Sequence, residues 1–164
     1  MTTVVSDLGA DARTYAALGS LSLPIPPAPV GNYQRGIVQR GIGFLSGQFP
    51  LENGTIRFAG QLGNDLSVAD GQAAARLAAL NTLAQIKELL GSFDLLDGLI
   101  RVDGFVACTH TFTEHAAVLN GASDAFVTAL GPRGLHARSA MGVGSLPMNA
   151  AVELVVTFAA SGDR

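Results

Sequence analysis

The sequence predicts an α+β fold in which a β-sheet carries both of its helices on one face. The predicted elements run in the order strands, helix, strand, helix and two strands, which is typical of that class. A chain of 164 residues has the size of one domain with a sizeable core. Hydrophobic residues make up 48% and charged residues 14% of the chain, which excludes intrinsic disorder.

The N-terminal part combines a predicted helix with a proline-rich segment. Apolar residues at loosely helical spacing predict a helix from Val4 to Leu18, which ends before Gly19. The following LPIPPAPVG is expected to be extended, because each proline fixes its own φ and restrains the residue before it. We expect this segment to act as a stiff strap over a surface.

Two turns and one long helix are predicted next. Alternating residues over 35–49 predict strands with a turn near Arg40-Gly41, and Asn53-Gly54 predicts a hairpin turn into Thr55–Gly60. Ser67, with Asp70 three residues later, is a typical helix N-cap. The helix is expected to end at Gly91, with one apolar face listed as Ala73, Leu77, Leu80 and Ala84.

The second half predicts three strands and a helix. Asp97–Cys108 has the composition of a strand, with Gly104 inside it as a bulge or a point of close approach. A helix is predicted from Glu114 to Leu130. Two apolar stretches, Ala137–Val143 and Ala150–Ala160, are joined by GSLPMN and predict a final hairpin.

A charged residue lies inside each strand of that predicted hairpin. Strand alternation places Arg138 on one face with His136, Ala140 and Gly142. A hairpin turning symmetrically about residues 145 and 146 would place Glu153 opposite Arg138. Two interpretations follow: a cross-strand ion pair on a solvated face, or a site in which the arginine binds an anion and the glutamate orients or deprotonates water.

Four runs of residues carry a family resemblance: GNY (31–33), LSGQFP (45–50), NGASDAF (120–126) and HARSAMGVGSLPMNAAVELVVTF (136–158). Together they resemble the Rid family of reactive intermediate deaminases, also called the YjgF family or endoribonuclease L-PSP. The resemblance covers residues 30–160 as one domain, with 1–29 as an N-terminal helix and strap. HARSA, NGASD and the N-terminal extension resemble a longer YjgF-like subgroup rather than the compact RidA type.

The resemblance implies a chorismate mutase-like fold with a mixed sheet, assembled as a homotrimer with clefts between adjacent subunits. It implies hydrolysis of enamine or imine intermediates, such as 2-iminopropanoate, to a 2-oxo acid and ammonia. The substrate partner is therefore a small carboxylate-bearing imine or enamine. No metal and no organic cofactor is implied.

The resemblance also implies roles for individual residues. Arg138 matches the arginine that binds the substrate carboxylate, and Glu153 matches the glutamate that positions water near the imine carbon. Further pocket positions are Tyr33, Ser46, Gly47 and Asn120. RidA-type members usually have cysteine where this chain has Ala140, so any role of that position falls to its backbone N–H.

Histidine and cysteine leave several interpretations open. His136 either lines the pocket beside Arg138 or forms a structural hydrogen bond. Cys108, His110, Glu114 and His115 lie close in sequence but match no standard metal-ligand spacing. We interpret Cys108, the only cysteine, as a small buried residue.

Charge and hydropathy exclude several classes of partner. The formal net charge is −3 and no basic stripe is present, which argues against nucleic acid as a partner and against an endoribonuclease. Prolines interrupt the uncharged stretch 14–34, so no membrane span is expected. A single cysteine fits a reducing, cytoplasmic setting.

A second function fits the same pocket residues as the deaminase. It is a non-catalytic regulatory trimer that binds a small carboxylate.

Overall fold

The computed structural model describes residues 9–18, 23–26 and 31–161. The helices are α1 (Ala10–Leu18), α2 (Val68–Leu90) and α3 (His115–Leu130). The strands are β1 (Gly36–Gln39), β2 (Ile42–Leu45), β3 (Leu51–Glu52), β4 (Thr55–Ile56), β5 (Leu96–Ala107), β6 (Ala137–Val143) and β7 (Val152–Ala160). Short 3₁₀ turns cover Phe93–Leu95, Gly131–Gly134 and Pro147–Asn149. The predicted α+β class is confirmed.

The main sheet has the strand order β1-β2-β7-β5-β6. Its strands pair antiparallel except for β5 and β6, which are parallel, so the sheet is mixed. The predicted final hairpin is wrong, because β5 lies between β6 and β7. Helix α3 is the crossover that makes β5 and β6 parallel. The segment 144–151 then passes across the end of β5 to reach β7.

The N-terminal helix is observed over the described part of its predicted range. Helix α1 covers Ala10–Leu18, while residues 4–8 lie outside the described residues. It packs against α3, and Asp11 forms an ion pair with Lys87 of α2. Residues 23–26 of the proline-rich segment have no regular secondary structure, and 27–30 lie outside the described residues.

The local signals of α2 are confirmed. The Ser67 hydroxyl accepts a hydrogen bond from the Asp70 amide while the Asp70 carboxylate accepts one from the Ser67 amide, which is a complete capping box. Gly91 ends the helix in the left-handed conformation. The predicted apolar face is too narrow: Ala73 is exposed, and burial extends to a second stripe of small residues, Ala74, Ala75, Ala78 and Ala79. Alanine lies on every side of this helix, so the spacing of the alanines does not indicate which face is buried.

Both predicted turns are also confirmed. Arg40 and Gly41 (φ 52° and 75°) join β1 to β2, and Asn53 and Gly54 (φ 51° and 77°) join β3 to β4. The strand predicted over 55–60 is shorter than expected. It ends at Ile56, because only two residues of β4 find partners on β3.

Helices α2 and α3 pack on one face of the sheet, as predicted. Small residues allow the close approach: a Cβ at Gly104 of β5 would lie 2.3 Å from Leu119 Cδ1 of α3, which favours close approach over a bulge at Gly104. The other face, which we call the open face, carries Ile37, Phe44 and Phe105, and none of the described helices packs on it. None of the described helices is long and apolar enough to cross a membrane.

The contact between α2 and α3 gives a prediction for Gly121. A Cβ there would lie 2.1 Å from the Gln72 carbonyl oxygen of α2, a backbone atom that cannot rotate away. We expect Gly121→Ala to lower the free energy of unfolding, measured by urea denaturation, by about 1–3 kcal/mol. Helix propensity alone would raise it by about 1 kcal/mol.

The matched control is Gly144→Ala, because a Cβ at Gly144 meets nothing within 4 Å. We expect this change to alter stability by less than about 0.5 kcal/mol. A Gly121→Ala protein as stable as the wild type would contradict the packing described above.

Candidate functional site

Helix α3 and strand β6 together hold Arg138. The Arg138 guanidinium donates from Nη1 to Asn120 Oδ1 (3.2 Å) and to Ser123 Oγ (2.9 Å), and from Nη2 to the Ala116 carbonyl (3.3 Å). These three acceptors are spaced along one side of α3, so the helix aligns them for the strand beside it. We call Arg138, Asn120, Ser123 and His136 the Arg138 cluster.

His136 completes this cluster. Its Nδ1 lies 2.7 Å from the Gly134 carbonyl, and its Nε2 lies 3.0 Å from Ser123 Oγ. The carbonyl can only accept, so Nδ1 donates to it, and Nε2 shares a hydrogen bond with the Ser123 hydroxyl. The ring also packs edge-on against Phe126, with centroids 5.7 Å apart. Of the two interpretations of His136, the structure contains the hydrogen-bonded one.

The Arg138 guanidinium retains unused capacity for an anion. A guanidinium has five N–H donors, and three are used by Asn120, Ser123 and Ala116. The Nε–H and one Nη2–H remain, which is what a bidentate carboxylate requires. All three acceptors are uncharged, and no carboxylate in the described chain forms an ion pair with Arg138. Its positive charge is therefore not neutralised.

Glu153 lies in a separate pocket, which we call the Glu153 pocket. It has a volume of about 500 Å³. Its walls are mainly apolar, and its lining residues are Tyr33, Leu45, Ser46, Gly47, Phe49, Pro147, Met148, Glu153 and Val155. Three residues assigned to the pocket from sequence, Tyr33, Ser46 and Gly47, therefore lie together with Glu153.

The loop beside Glu153 is fixed to strand β7. Gln48 exchanges two backbone hydrogen bonds with Leu154 (2.8 and 2.9 Å), and its side-chain amide donates to the Ser46 carbonyl (2.9 Å). A Cβ at Gly47 would lie 1.8 Å from Glu153 Oε1. Glycine is thus required at position 47 for the carboxyl group to lie against this loop.

The Glu153 carboxyl group is chemically unusual. It is half-buried, and it forms no hydrogen bond or ion pair with any described residue. Burial raises the pKa of Glu153 above its ordinary value, because the apolar walls disfavour the charged form. Such a carboxyl group can take a proton from water and return one to a leaving group.

The two charged residues do not meet within one chain. Arg138 lies opposite Val102 on β5, whereas Glu153 lies opposite Phe105. Side chains alternate along β5, so Val102 faces the helices and Phe105 faces the open face. The predicted cross-strand pairing is therefore wrong, as is the ion pair that depended on it.

Two further predicted positions, Ala140 and Cys108, lie outside the Arg138 cluster and the Glu153 pocket. Ala140 is exposed and shares the helix-side face of β6 with Arg138. Cys108 is buried, at 8% exposure, as expected. Among residues 9–18, 23–26 and 31–161, no cluster of three or more metal-ligating side chains could hold a metal ion.

Sequence reasoning missed two residues of the site. Ser123 links Arg138 to His136, and its position three residues after Asn120 on one helix face is the signal that could have revealed it. Gln48 fixes the loop beside Glu153 through backbone pairing. No sequence pattern indicates that pairing, since it joins residues that are 106 positions apart.

Comparisons with known proteins agree with this fold. The model of the family described as "YjgF/chorismate mutase-like, putative endoribonuclease" matches residues 11–161. Protein TCP17 of Trypanosoma cruzi is 39% identical over 148 residues, which cover 88% of this chain and 92% of TCP17.

Solved structures agree as well. The structure of Atu1372, a protein of unknown function from Agrobacterium tumefaciens, is 38% identical and has a TM-score of 0.84 over 93% of this chain and 92% of its own. RidA from an Antarctic Psychrobacter shares the fold at 24% identity, with a TM-score of 0.55 over 82% of this chain and 94% of its own. The chain belongs to the YjgF/chorismate mutase-like family, which confirms the resemblance and the chorismate mutase-like fold.

The raised pKa of Glu153 predicts a pH dependence of stability. The folded chain binds this proton more tightly than the unfolded chain does. The protonated carboxyl group therefore makes its full contribution to the free energy of unfolding below the ordinary glutamate pKa of 4.5. That contribution is lost as the pH rises through the pKa of Glu153 in the folded chain. We expect Glu153→Gln to become progressively more stable than the wild type across that window, as measured by urea denaturation at stepped pH.

Glu114→Gln is the control, because Glu114 is an exposed glutamate whose side chain forms no hydrogen bond or ion pair with a described residue. Its stability should follow the wild-type pH profile. A wild-type protein that gains stability relative to Glu153→Gln as the pH rises would contradict the assignment of Glu153.

Proposed function

We propose that this chain is an enamine/imine deaminase that hydrolyses 2-imino acids to 2-oxo acids and ammonia. The observation that carries the proposal is the state of Arg138. Three uncharged acceptors fix its guanidinium and leave two N–H donors unused. A side chain held in this way is preorganised to bind a carboxylate. Substrates with a carboxylate next to the reacting carbon would be oriented by it.

Glu153 supplies the second requirement, a proton carrier. The iminium carbon is already electrophilic, so the reaction needs a positioned water and a group that takes and returns a proton. Glu153 has no hydrogen-bonding partner among the described residues, and its raised pKa reflects burial. It is therefore available to hydrogen-bond a water molecule.

The reaction balances with these two residues. Arg138 binds the substrate carboxylate, and Glu153 takes a proton from water as the water oxygen forms a bond to C2. Glu153 passes this proton to the nitrogen of the resulting carbinolamine, the C–N bond breaks, and ammonia leaves. As the oxygen forms the carbonyl, Glu153 takes the hydroxyl proton and releases it to solvent. No metal or organic cofactor is needed for these steps.

A homotrimer would bring the two residues together. Ile37 and Phe44 on the open face are 49% and 48% exposed, which is unusual for large apolar side chains on neighbouring strands. Burying this face against a second subunit would stabilise an oligomer. We infer that the Arg138 cluster of one subunit meets the Glu153 pocket of the next, with the cleft between them as the active site.

The deaminase is favoured over an RNA-cleaving enzyme. The name of the family includes an endoribonuclease, but the net charge of this chain is −3, and tracking a phosphate backbone requires a basic surface. A regulatory trimer that binds a small carboxylate would use the same residues, so a measurement of turnover is needed to distinguish it from the deaminase.

We propose a cytoplasmic location, since the chain has one cysteine and so forms no intramolecular disulfide.

The test is an assay of 2-iminopropanoate hydrolysis. An amino-acid oxidase generates the imine in situ, and the release of ammonia is measured. The wild-type protein should accelerate decay beyond the buffer rate. Arg138→Ala should lower kcat/KM on the order of tenfold to a hundredfold, the cost of a lost charged hydrogen bond. Arg76→Ala removes an exposed arginine of α2 and should leave the rate unchanged.

Two results would contradict the proposal. An Arg138→Ala protein with wild-type turnover would show that the arginine does not bind the substrate. Absence of acceleration with several imino acids, together with saturable binding of a 2-oxo acid by calorimetry, would favour the regulatory trimer.

A further inference from the structure

A second pocket contains the only cysteine of the chain. It has a volume of about 380 Å³, and its lining residues are Cys108, Thr109, His110, Phe112, His115, Gly142, Val143 and Gly144. We call it the Cys108 pocket. Neither the Arg138 cluster nor the Glu153 pocket includes any of these residues.

Within this pocket the thiol faces an imidazole. Cys108 Sγ lies 3.4 Å from His115 Nε2. Phe112 packs edge-on against the His115 ring, with centroids 5.3 Å apart and planes at 85°, and this contact fixes the ring orientation. Within the described part of the chain, the thiol is the only hydrogen-bonding partner of the His115 imidazole.

The facing strand leaves room for this pair. A Cβ at Gly142 of β6 would lie 2.4 Å from His115 Nε2 and 3.0 Å from Cys108 Sγ. Any larger residue would displace the imidazole from the thiol. The contact between sulfur and nitrogen therefore depends on three separate segments: the residue that follows β5, the start of α3 and the C-terminal end of β6.

We propose that Cys108 and His115 form a nucleophilic site that is modified by small, uncharged α,β-unsaturated carbonyl compounds. Sulfur is a soft nucleophile that reacts as the thiolate, and an adjacent imidazole can take its proton. No carboxylate or guanidinium lines the pocket, which favours an uncharged electrophile. This inference is independent of the deaminase proposal.

The step balances without a further reactant. His115 Nε2 takes the thiol proton as sulfur forms a bond to the β-carbon. The electrons of the carbon–carbon double bond move to the α-carbon, which then takes the proton from the imidazolium. The product is a stable thioether. Burial raises the pKa of Cys108, and a hydrogen bond with the Val143 backbone partly opposes this rise, so the resting group is the thiol and a base is needed.

The experiment uses the full chain and acrylamide, with the adduct followed by intact mass. One cysteine makes the assignment unambiguous. The native wild type should gain one adduct, and Cys108→Ser should gain none. His115→Gln should react about tenfold more slowly or worse, as expected for loss of a general base. Arg76→Ala, which alters an exposed residue of α2 outside this pocket, should react at the wild-type rate.

Gly142→Ala provides a second variant that retains both reactive groups, and it should also react more slowly than the wild type. Thermal unfolding followed by circular dichroism establishes that each variant is folded. A wild-type thiol that reacts only after denaturation would overturn the proposal, and the contact between Cys108 and His115 would then be structural only. Equal rates for the wild type, His115→Gln and Gly142→Ala would overturn it as well.

Discussion

The position of β5 between β7 and β6 is the constraint on which the rest of the structure depends. This strand pairs with β7 on one side and with β6 on the other, so the two strands that carry the charged site residues cannot pair with each other. Alternation along β5 then directs Arg138 toward α3 and Glu153 toward the open face. In the proposed function, each chain therefore contributes two halves of a site, one at Arg138 and one at Glu153, rather than one complete site.

Each half contains one charged or ionisable side chain that has no oppositely charged partner in the described chain. Uncharged acceptors position Arg138 without neutralising its charge, while apolar walls and a glycine loop leave the Glu153 carboxyl group without a partner. The half-buried Glu153 carboxyl group costs stability in an isolated chain, because burial disfavours its charged form, while the Arg138 guanidinium keeps N–H donors that have no acceptor in the described chain. A ligand carboxylate and a water molecule would satisfy them, which is why the geometry favours a small-molecule site.

The sequence predicted local structure better than it predicted topology. The capping box at Ser67, the stop at Gly91 and the turn at Asn53-Gly54 depend on neighbouring residues, and the structure contains all three. The pairing of β6 with β5 depends on how α3 packs, which no short pattern encodes. Residues on each half could be named from family motifs, but their separation on opposite faces follows only from strand order.

The most direct test of the split site is to mix two inactive variants. Arg138→Ala and Glu153→Gln are refolded together in equal amounts and assayed for imine hydrolysis. If clefts form between subunits, random mixing should restore about a quarter of the wild-type rate, the fraction of clefts that combine an intact arginine with an intact glutamate. A mixture no more active than either variant alone would contradict a site shared between subunits.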